Sequence, residues 1–264
     1  MEGQRIERLV QNRADLRFPF PDGFAERLTG ARIDHMGRRA KFLTLTLSTG
    51  EMLVMHLGMT GRFTVGGSQL GEFHHETGTD ARHDHVVFHL DSGATVIYND
   101  PRRFGFMELW PAETFQAYPR LMRMGPEPLS NAFSAAYLDE ALRGRKTPIK
   151  AALLDQSIIA GLGNIYVCEA LWRSGISPKR MATTVPGQRA ARLAPAINEV
   201  IAEAIEAGGS SISDFASTSG ELGYFQHSFA VYDREGQACR NCDGPIKRLV
   251  QSGRSSFYCS ICQR

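Results

Sequence analysis

Two pairs of cysteines near the end of the chain restrict its fold more than any other feature of the sequence. Cys239 and Cys242 form one C-x-x-C pair, and Cys259 and Cys262 form a second pair after sixteen intervening residues. This spacing is typical of two turns that each present two thiolates, so that four sulfurs complete the tetrahedral coordination of one Zn²⁺ ion. Four protein ligands leave no open position, and the sequence therefore predicts a structural zinc site in a hairpin over residues 231–264. An iron–sulfur site and unmetallated thiols are the lesser alternatives.

The composition is that of a globular protein with a core of its own. Hydrophobic residues make up 42% of the 264 residues and charged residues 22%, which excludes extended disorder. No apolar run approaches the roughly 18 residues of a membrane span. The first nine residues include four charged ones and contain no apolar stretch typical of a secretory signal. We therefore expect a cytoplasmic chain that does not enter a membrane and whose cysteines bind metal rather than form disulfides.

The pattern of apolar residues divides the chain into a β-rich part and a helical part. Short alternating runs at 42–47, 53–57 and 86–90, separated by turn residues, predict an antiparallel sandwich or barrel. A proline-rich linker is expected over 111–130. Apolar residues with helical spacing follow in four segments, 132–142, 148–157, 164–174 and 188–207. The predicted class is multi-domain α+β, with a polar loop at 66–84 in the β-rich part.

Two clusters of basic residues point to a phosphate-bearing partner. The run from Arg143 to Lys150 places four cations in eight positions without an acid, at the entrance to a helix pair. Gly161-Leu162-Gly163 then forms a turn that ends in Asn164, which is expected to N-cap the next helix. The zinc hairpin carries six basic against three acidic residues. Either cluster alone is also typical of an ordinary solvated face.

The segment Asn99-Asp100-Pro101-Arg102-Arg103-Phe104-Gly105 ends a β run with two arginines and an aromatic ring. Because neighbouring residues of an extended chain point in opposite directions, one arginine is expected to pair with Asp100 while the other projects. Arg102 and Phe104 then lie on the same side, an arrangement suited to wedging into a base stack. A plain surface turn with an arginine–aspartate clamp is the alternative.

Two further positions have both a functional and an ordinary interpretation. His83, His85 and His89 are expected to share one face of a strand, where they form a solvent-facing row, contact nucleic acid or, less readily, bind a metal. Lys41 stands at the start of an apolar strand after two arginines. It is a candidate nucleophile or proton donor, or simply a strand-edge charge.

Seven motifs follow one another along the chain: GRRAKF (37–42), HLGMTG (56–61), HDHV (83–86), NDPRRFG (99–105), GPEPL (125–129), GLGNIYVCEAL (161–171) and RSSFYCSICQ (254–263). In this order they resemble the bacterial formamidopyrimidine-DNA glycosylase family from about Gly30 to the C-terminus. The resemblance implies an N-terminal β-sandwich over 1–113, a helix-two-turn-helix domain over 114–228 and a four-cysteine zinc finger over 229–264. It further implies a monomer that acts in the cytosol on damaged double-stranded DNA. The implied activity is that of a base-excision-repair glycosylase and AP lyase for oxidised purines such as 8-oxoguanine and formamidopyrimidines.

The resemblance also implies a role for individual residues. Lys41 matches the lysine that acts in β-elimination, and Arg254 matches the finger arginine that grips phosphate and assists δ-elimination. Met59, Arg102 and Phe104 match the three side chains that fill the hole left by the everted base. His83, Arg145 and Asn164 match further DNA-contact positions of the family, and Arg102 matches one of these positions as well. Residues 217–224 match the loop that covers the damaged base.

The sequence departs from the family at its first residues. Family members begin M-P-E-L-P-E, where the proline is the Schiff-base nucleophile and the glutamate is the acid, whereas this sequence begins Met1-Glu2-Gly3-Gln4. Excision needs an amine to attack C1′ and an acid to protonate the opening sugar. Three hypotheses follow: a start codon assigned downstream of the true one, a catalytically impaired protein that binds damaged DNA, or an altered lyase that uses Lys41.

Overall fold

The computed structural model describes residues 1–66, 80–210 and 223–264. Its backbone contacts divide these residues into two compact units that separate at Met122 and Arg123, inside the predicted linker. The helical segments and the cysteine hairpin lie in the same unit, and the domain limits at residues 113 and 228 stay predictions. Most of the predicted 66–84 loop and of the covering loop at 217–224 lies outside the described residues.

The first unit consists mainly of antiparallel strands. Its described strands are β1 (Ile6–Gln11), β2 (Ile33–Arg39), β3 (Phe42–Leu47), β4 (Glu51–His56), β5 (Arg62–Gly66), β6 (Asp84–Leu90), β7 (Thr95–Asn99) and β8 (Phe106–Pro111), with one short helix, α1 (Phe24–Leu28). They form two four-stranded sheets with the orders β1-β6-β7-β5 and β2-β3-β4-β8. The three predicted strands correspond to β3, β4 and β6.

The two sheets share one apolar core, which makes the unit a β-sandwich as predicted. Alternate residues of β3 and β6 point inward because successive side chains of a strand face opposite sides. Leu45 and Leu53 from one sheet pack in the same cluster as Phe88 and Tyr98 from the other, and each is at most 1% exposed. Burying such side chains stabilises the unit by about 1.5–3 kcal/mol for each large apolar group.

The second unit contains the helices that the periodicity predicts. They are α2 (Ala135–Leu142), α3 (Ile149–Leu154), α4 (Asn164–Arg173) and α5 (Gln188–Glu206). The Ser134 hydroxyl caps α2 by accepting a hydrogen bond from the Tyr137 N–H at 3.1 Å. Apolar residues from all four helices, such as Leu142, Leu153, Leu171 and Ile197, form one buried cluster. No helix in the described part of the chain has the length and apolar composition of a membrane span.

Strands β9 (Ile246–Gln251) and β10 (Arg254–Cys259) form an antiparallel hairpin in the second unit. Ser252 and Gly253 both have positive φ, 50° and 73°, as a two-residue type I′ turn requires. The chain that leads into this hairpin is fixed to α4 by the buried carboxylate of Glu169. That carboxylate accepts hydrogen bonds from the N–H groups of Ala230, Val231 and Tyr232 at 2.8–3.0 Å.

Candidate nucleic-acid contacts and metal centre

Met59, Arg102 and Phe104 lie together at the tips of two loops of the first unit. The Arg102 guanidinium stacks 4.6 Å from the centre of the Phe104 ring, and its Nη1 lies 3.8 Å from the Met59 sulfur. Met59 is 70% exposed and Phe104 43%, although both side chains are large and apolar. The prediction that Arg102 and Phe104 lie on the same side is confirmed. Exposed apolar groups beside a cation form a surface that can enter a base stack.

The predicted ion pair between Asp100 and an arginine is wrong. Asp100 is fully buried, and its carboxylate accepts hydrogen bonds from the Thr60 hydroxyl, the Tyr98 hydroxyl and the Gly105 N–H. Arg103 instead lies 3.8 Å from Asp15, with a positive φ of 56°. Sequence-based reasoning missed the role of Asp100 because one of its partners, Thr60, lies 40 residues away on another loop.

The histidines of the HDH segment do not share one strand face. His83 ends a short 3-10 turn before β6 and is half-buried, whereas His85 is 1% exposed and its Nε2 hydrogen-bonds the Asp100 carbonyl oxygen at 2.9 Å. His89 lies on the outer face, 3.1 Å from the Arg8 guanidinium. A bulge between Asp84 and Val86 shifts the register, so that residues of equal parity lie on different faces. The three rings therefore do not form a surface row. Of the three histidines, only His83 remains a candidate for contact with DNA.

Lys41 is exposed in the turn between β2 and β3, immediately before the apolar strand on which it was expected. The next residue, Phe42, pairs across the sheet with His56, a residue that sequence reasoning left without a role. The His56 ring stacks on Phe106 at 5.5 Å, and its Nδ1 accepts a hydrogen bond from the Gly58 N–H at 2.9 Å. Burial lowers the pKa of His56, and the charges of Lys41, Arg17 and Arg120 lower it further. The lowered pKa favours a neutral His56 ring at neutral pH, and because Nδ1 accepts a hydrogen bond, the proton of that ring lies on Nε2.

Arg145 and Asn164 are placed on the second unit. Arg145 is exposed, and its guanidinium reaches the Ala141 carbonyl oxygen at 2.8 Å and Asp155 at 3.7 Å. The prediction that Asn164 is the N-cap of α4 is wrong. Gly163 occupies the cap position, and Asn164 is the first helical residue. The Asn164 amide Nδ2 donates to the Ser255 carbonyl oxygen at 3.1 Å, which attaches the helix to the hairpin.

Lys150 departs most clearly from the basic surface that the sequence suggested. It is 1% exposed, and its ammonium group donates to the Ser255 carbonyl oxygen and the Ser256 hydroxyl, both at 2.7 Å. Burial lowers the pKa of Lys150, and the charge of Arg254 lowers it further. Lys150 and Asn164 thus hold the same Ser255 carbonyl oxygen. They fix the start of β10, where Arg254 is exposed directly after the turn.

The four cysteines fit a tetrahedral metal ion. Their sulfur atoms all lie within 4.8 Å of one another, with Cys239 and Cys262 3.9 Å apart and Cys242 and Cys259 3.4 Å apart. Zn–S bonds of about 2.3 Å give tetrahedral sulfur separations of about 3.8 Å. The Trp172 indole N–H donates to the Cys239 sulfur at 3.4 Å, a contact that favours a thiolate. The fifth cysteine, Cys168, is buried as predicted, and burial raises the pKa of its thiol.

Three family models match successive parts of the chain. The formamidopyrimidine-DNA glycosylase N-terminal domain matches residues 1–107, and the H2TH domain of the same enzymes matches residues 124–216. A zinc finger found in these glycosylases and in isoleucyl-tRNA synthetases matches residues 236–264. With the geometry of the four sulfur atoms, this match shows that the cysteines bind one structural zinc ion.

Curated relatives match along the whole chain. A formamidopyrimidine-DNA glycosylase of Ruegeria pomeroyi is 58% identical over 266 residues, and one of Rhodopseudomonas palustris is 58% identical over 275 residues. Both alignments cover 100% of this chain and 94% of the relative.

Solved structures give the same fold. The MutM protein of Thermus thermophilus is 38% identical with a TM-score of 0.85, over 100% of this chain and 92% of that one. The Lactococcus lactis glycosylase in complex with DNA that contains an abasic site is 29% identical with a TM-score of 0.86, over 100% of this chain and 94% of that one. MutM in complex with DNA that contains carbocyclic 8-oxo-G is 30% identical with a TM-score of 0.86, and the matched shares are again 100% and 94%.

Proposed function

The chain belongs to the formamidopyrimidine-DNA glycosylase family, and we propose that it uses Met59, Arg102 and Phe104 to open DNA at oxidised purines. It is a base-excision-repair glycosylase with AP-lyase activity, whose substrates are bases such as 8-oxoguanine and formamidopyrimidines in duplex DNA. The single observation that carries the proposed role is the exposed cluster of one thioether, one guanidinium and one aromatic ring at the tips of two loops.

This cluster has the chemistry that opening a duplex requires. An everted nucleotide leaves an apolar gap between two base pairs and an unpaired base on the opposite strand. A flexible methionine side chain fits the gap, and a stacked arginine–phenylalanine pair offers the unpaired base both a π face and N–H donors. Contacts of this kind replace the stacking that eversion disrupts.

The other candidate residues have roles around this opening. We assign phosphate contacts to His83, Arg145 and Asn164, and a contact with the everted nucleotide's phosphate to Arg254. Lys41 is exposed beside a neutral histidine, where its ammonium group can move a proton during elimination at the sugar. We further propose that the protein works as a monomer on chromosomal DNA in the bacterial cytosol.

Binding and excision are measured separately to test this function. A duplex with a tetrahydrofuran abasic analogue should bind more tightly than the undamaged duplex, and Met59→Ala should reduce that preference about tenfold. Release of 8-oxoguanine from a duplex, followed by chromatography, tests the glycosylase step. Equal affinity for damaged and undamaged DNA would contradict the assignment of the opening residues. Tight abasic binding without base release would instead support the alternative of an impaired damage-binding protein, which the relatives do not favour.

A further inference from the structure

The three DNA-opening residues lie on two loops that are too short to have cores of their own. The first loop, residues 57–61, joins β4 to β5 and carries Met59. The second loop, residues 100–105, joins β7 to β8 and carries Arg102 and Phe104. A loop of five or six residues that exposes a large apolar side chain needs another source of order, because ordering a backbone costs about 1–2 kcal/mol for each residue.

The carboxylate of Asp100 connects both loops to the sandwich. One oxygen accepts a hydrogen bond from the Thr60 hydroxyl of the first loop. The other oxygen accepts from the Gly105 N–H of the second loop at 2.9 Å and from the Tyr98 hydroxyl of β7 at 3.1 Å. Burial raises the pKa of Tyr98, with a further rise from Asp100, so this hydroxyl keeps its proton and remains a donor. One side chain therefore joins three separate parts of the unit.

The backbone of Asp100 extends the same network. Its N–H donates to the His83 carbonyl oxygen at 3.0 Å, and its own carbonyl oxygen lies 2.9 Å from Nε2 of the buried His85. The Arg103 N–H donates to that carbonyl oxygen at 3.2 Å. The network thereby includes the turn that presents His83, a candidate phosphate contact, together with the two loops.

The two loops touch each other through their backbones. A Cβ atom added to Gly58, which has a φ of 68°, would lie 2.5 Å from the carbonyl carbon of Phe104, and one added to Gly105 would lie 1.9 Å from the Tyr98 hydroxyl oxygen. Both distances are shorter than any van der Waals contact. Because no side chain separates the loops, a small movement of one displaces the other, and hydrogen bonds to a shared acceptor set both positions.

A buried carboxylate is a costly way to fill a core, and this one is fully buried without a cation. None of the ion pairs among residues 1–66, 80–210 and 223–264 includes Asp100. An ionised carboxylate only accepts hydrogen bonds, and its three donors offset much of the cost of burial. An amide of the same shape would present N–H groups to some of those donors. The acceptor-only chemistry, rather than packing, accounts for an aspartate at this position.

We propose that Asp100 is a positioning residue that presets Met59, Arg102 and Phe104 before DNA binds. This inference rests on the proposed function. With the loops already ordered, insertion into the duplex requires little further loss of loop entropy, and more of the contact energy is available to hold the nucleotide out. Asp100 itself does not touch DNA in this proposal, because it is 0% exposed.

The test uses Asp100→Asn, with Asp91→Asn as the matched control. Asp91 is exposed in the turn between β6 and β7, so its substitution removes the same charge without touching the loops. We expect Asp100→Asn to reduce the preference for a tetrahydrofuran duplex over an undamaged one about tenfold. Affinity for undamaged DNA and its salt dependence should change less than twofold. A 2-aminopurine opposite the tetrahydrofuran should lose at least half of its fluorescence change at saturating protein. Asp91→Asn should retain the parent's behaviour throughout.

Thr60→Val serves as a second variant in case Asp100→Asn does not fold, which thermal unfolding reveals. It removes one donor to Asp100 at nearly constant volume, and we expect about a threefold loss of the same preference. An unchanged preference in a folded variant, or an equal loss of affinity for both duplexes, would overturn the positioning role. If the parent protein itself shows no preference for the abasic duplex, the proposed DNA-opening role is wrong. A preference in the parent that is unchanged in the folded variants contradicts only the positioning role of Asp100, so the two results are distinguishable.

Discussion

The loops of the first unit and the hairpin of the second carry candidate DNA contacts, but different forces hold them in place. The loops stand on a sandwich whose core is formed by residues such as Leu45, Phe88 and Tyr98, and one buried carboxylate then sets their positions. The described buried cluster at the hairpin contains Cys239, Cys259, Val231, Ile246 and Phe257, together with Cys168 of α4. A segment with so few apolar groups needs further support. Zinc, Lys150, Asn164 and Glu169 provide it here.

This difference shows what polar groups do in the two settings. In the sandwich, apolar burial supplies the stability, and Asp100 contributes mainly geometry. In the hairpin, the metal ion and the polar anchors contribute both stability and geometry. Their loss should therefore lower the stability of the hairpin as well as displace its DNA contacts. Perturbing one anchor at a time can test this distinction.

The largest effect is expected from Cys242→Ser. The protein should bind about one equivalent of zinc, and losing one thiolate should unfold the hairpin, because structural zinc sites contribute apparent binding energies of about 10–16 kcal/mol. Hydrogen exchange should accelerate across 236–264 while the strands of the sandwich stay protected. DNA binding should weaken strongly.

Cys168→Ser is the matched control, since this cysteine packs in the same buried cluster but is not one of the four metal ligands. It should keep its zinc. Metal analysis that finds less than about half an equivalent in the parent protein would contradict the structural zinc site.

Lys150→Met should have the next largest effect. It removes the charged donor from the Ser255 carbonyl oxygen and the Ser256 hydroxyl, which should lower the free energy of unfolding by about 1–3 kcal/mol. It should also weaken DNA binding through the displaced Arg254. The exposed Lys146 provides the comparison, since Lys146→Met should alter binding only through salt-dependent attraction. If the stability of Lys150→Met and Lys146→Met is equal by denaturant unfolding, the anchoring role of Lys150 is wrong.

Arg254→Ala should reduce affinity for damaged and undamaged DNA alike, with little change in stability. One lost phosphate contact lowers the slope of log affinity against log salt by about 0.9. Met59→Ala should leave that slope unchanged, because a thioether neutralises no phosphate. Titrations at several salt concentrations measure both slopes, and a steep, unchanged slope in Arg254→Ala would argue against phosphate binding by the hairpin.

The smallest effect concerns the pH dependence of the first unit. The pKa of His56 is lower in the folded protein than its ordinary value of 6.5. The unfolded chain therefore binds the proton more readily, and the free energy of unfolding should fall as the pH drops below 6.5. His56→Gln should flatten this dependence, whereas His89→Gln should retain it. Denaturant unfolding between pH 5 and 7.5 checks the result; an unaltered pH dependence in His56→Gln would refute the assignment.

Much of the architecture and part of the site could be predicted from local patterns. Alternation of period two predicted β3, β4 and β6, helical spacing predicted α2 to α5, and the cysteine spacing predicted the metal ligands. Arg102 and Phe104 were expected on the same side because the direction of a side chain alternates with each residue. In each of these cases the interacting groups are near neighbours in sequence or follow a repeating geometry.

The errors arose where tertiary contacts replaced a local expectation. Asp100 was expected to pair with an arginine two or three residues away, but it accepts a hydrogen bond from Thr60, 40 residues distant. Lys150 looked like part of a solvated basic run, yet its ammonium group contacts Ser256, 106 residues distant. His85 was expected in a solvent-facing row, yet it is 1% exposed and hydrogen-bonds the Asp100 carbonyl oxygen, 15 residues distant.

By itself, the sequence determined the family, the zinc ligands, the class of fold and the candidates for the opening residues, because short-range spacing and side-chain chemistry encode them. Only the tertiary structure decided which polar groups are buried as anchors and which face outward as contacts. The physical reason is that a charged side chain looks the same in sequence whether it meets solvent or a distant carbonyl oxygen. Its role depends on whether folding brings enough hydrogen-bond partners to it to offset the loss of water.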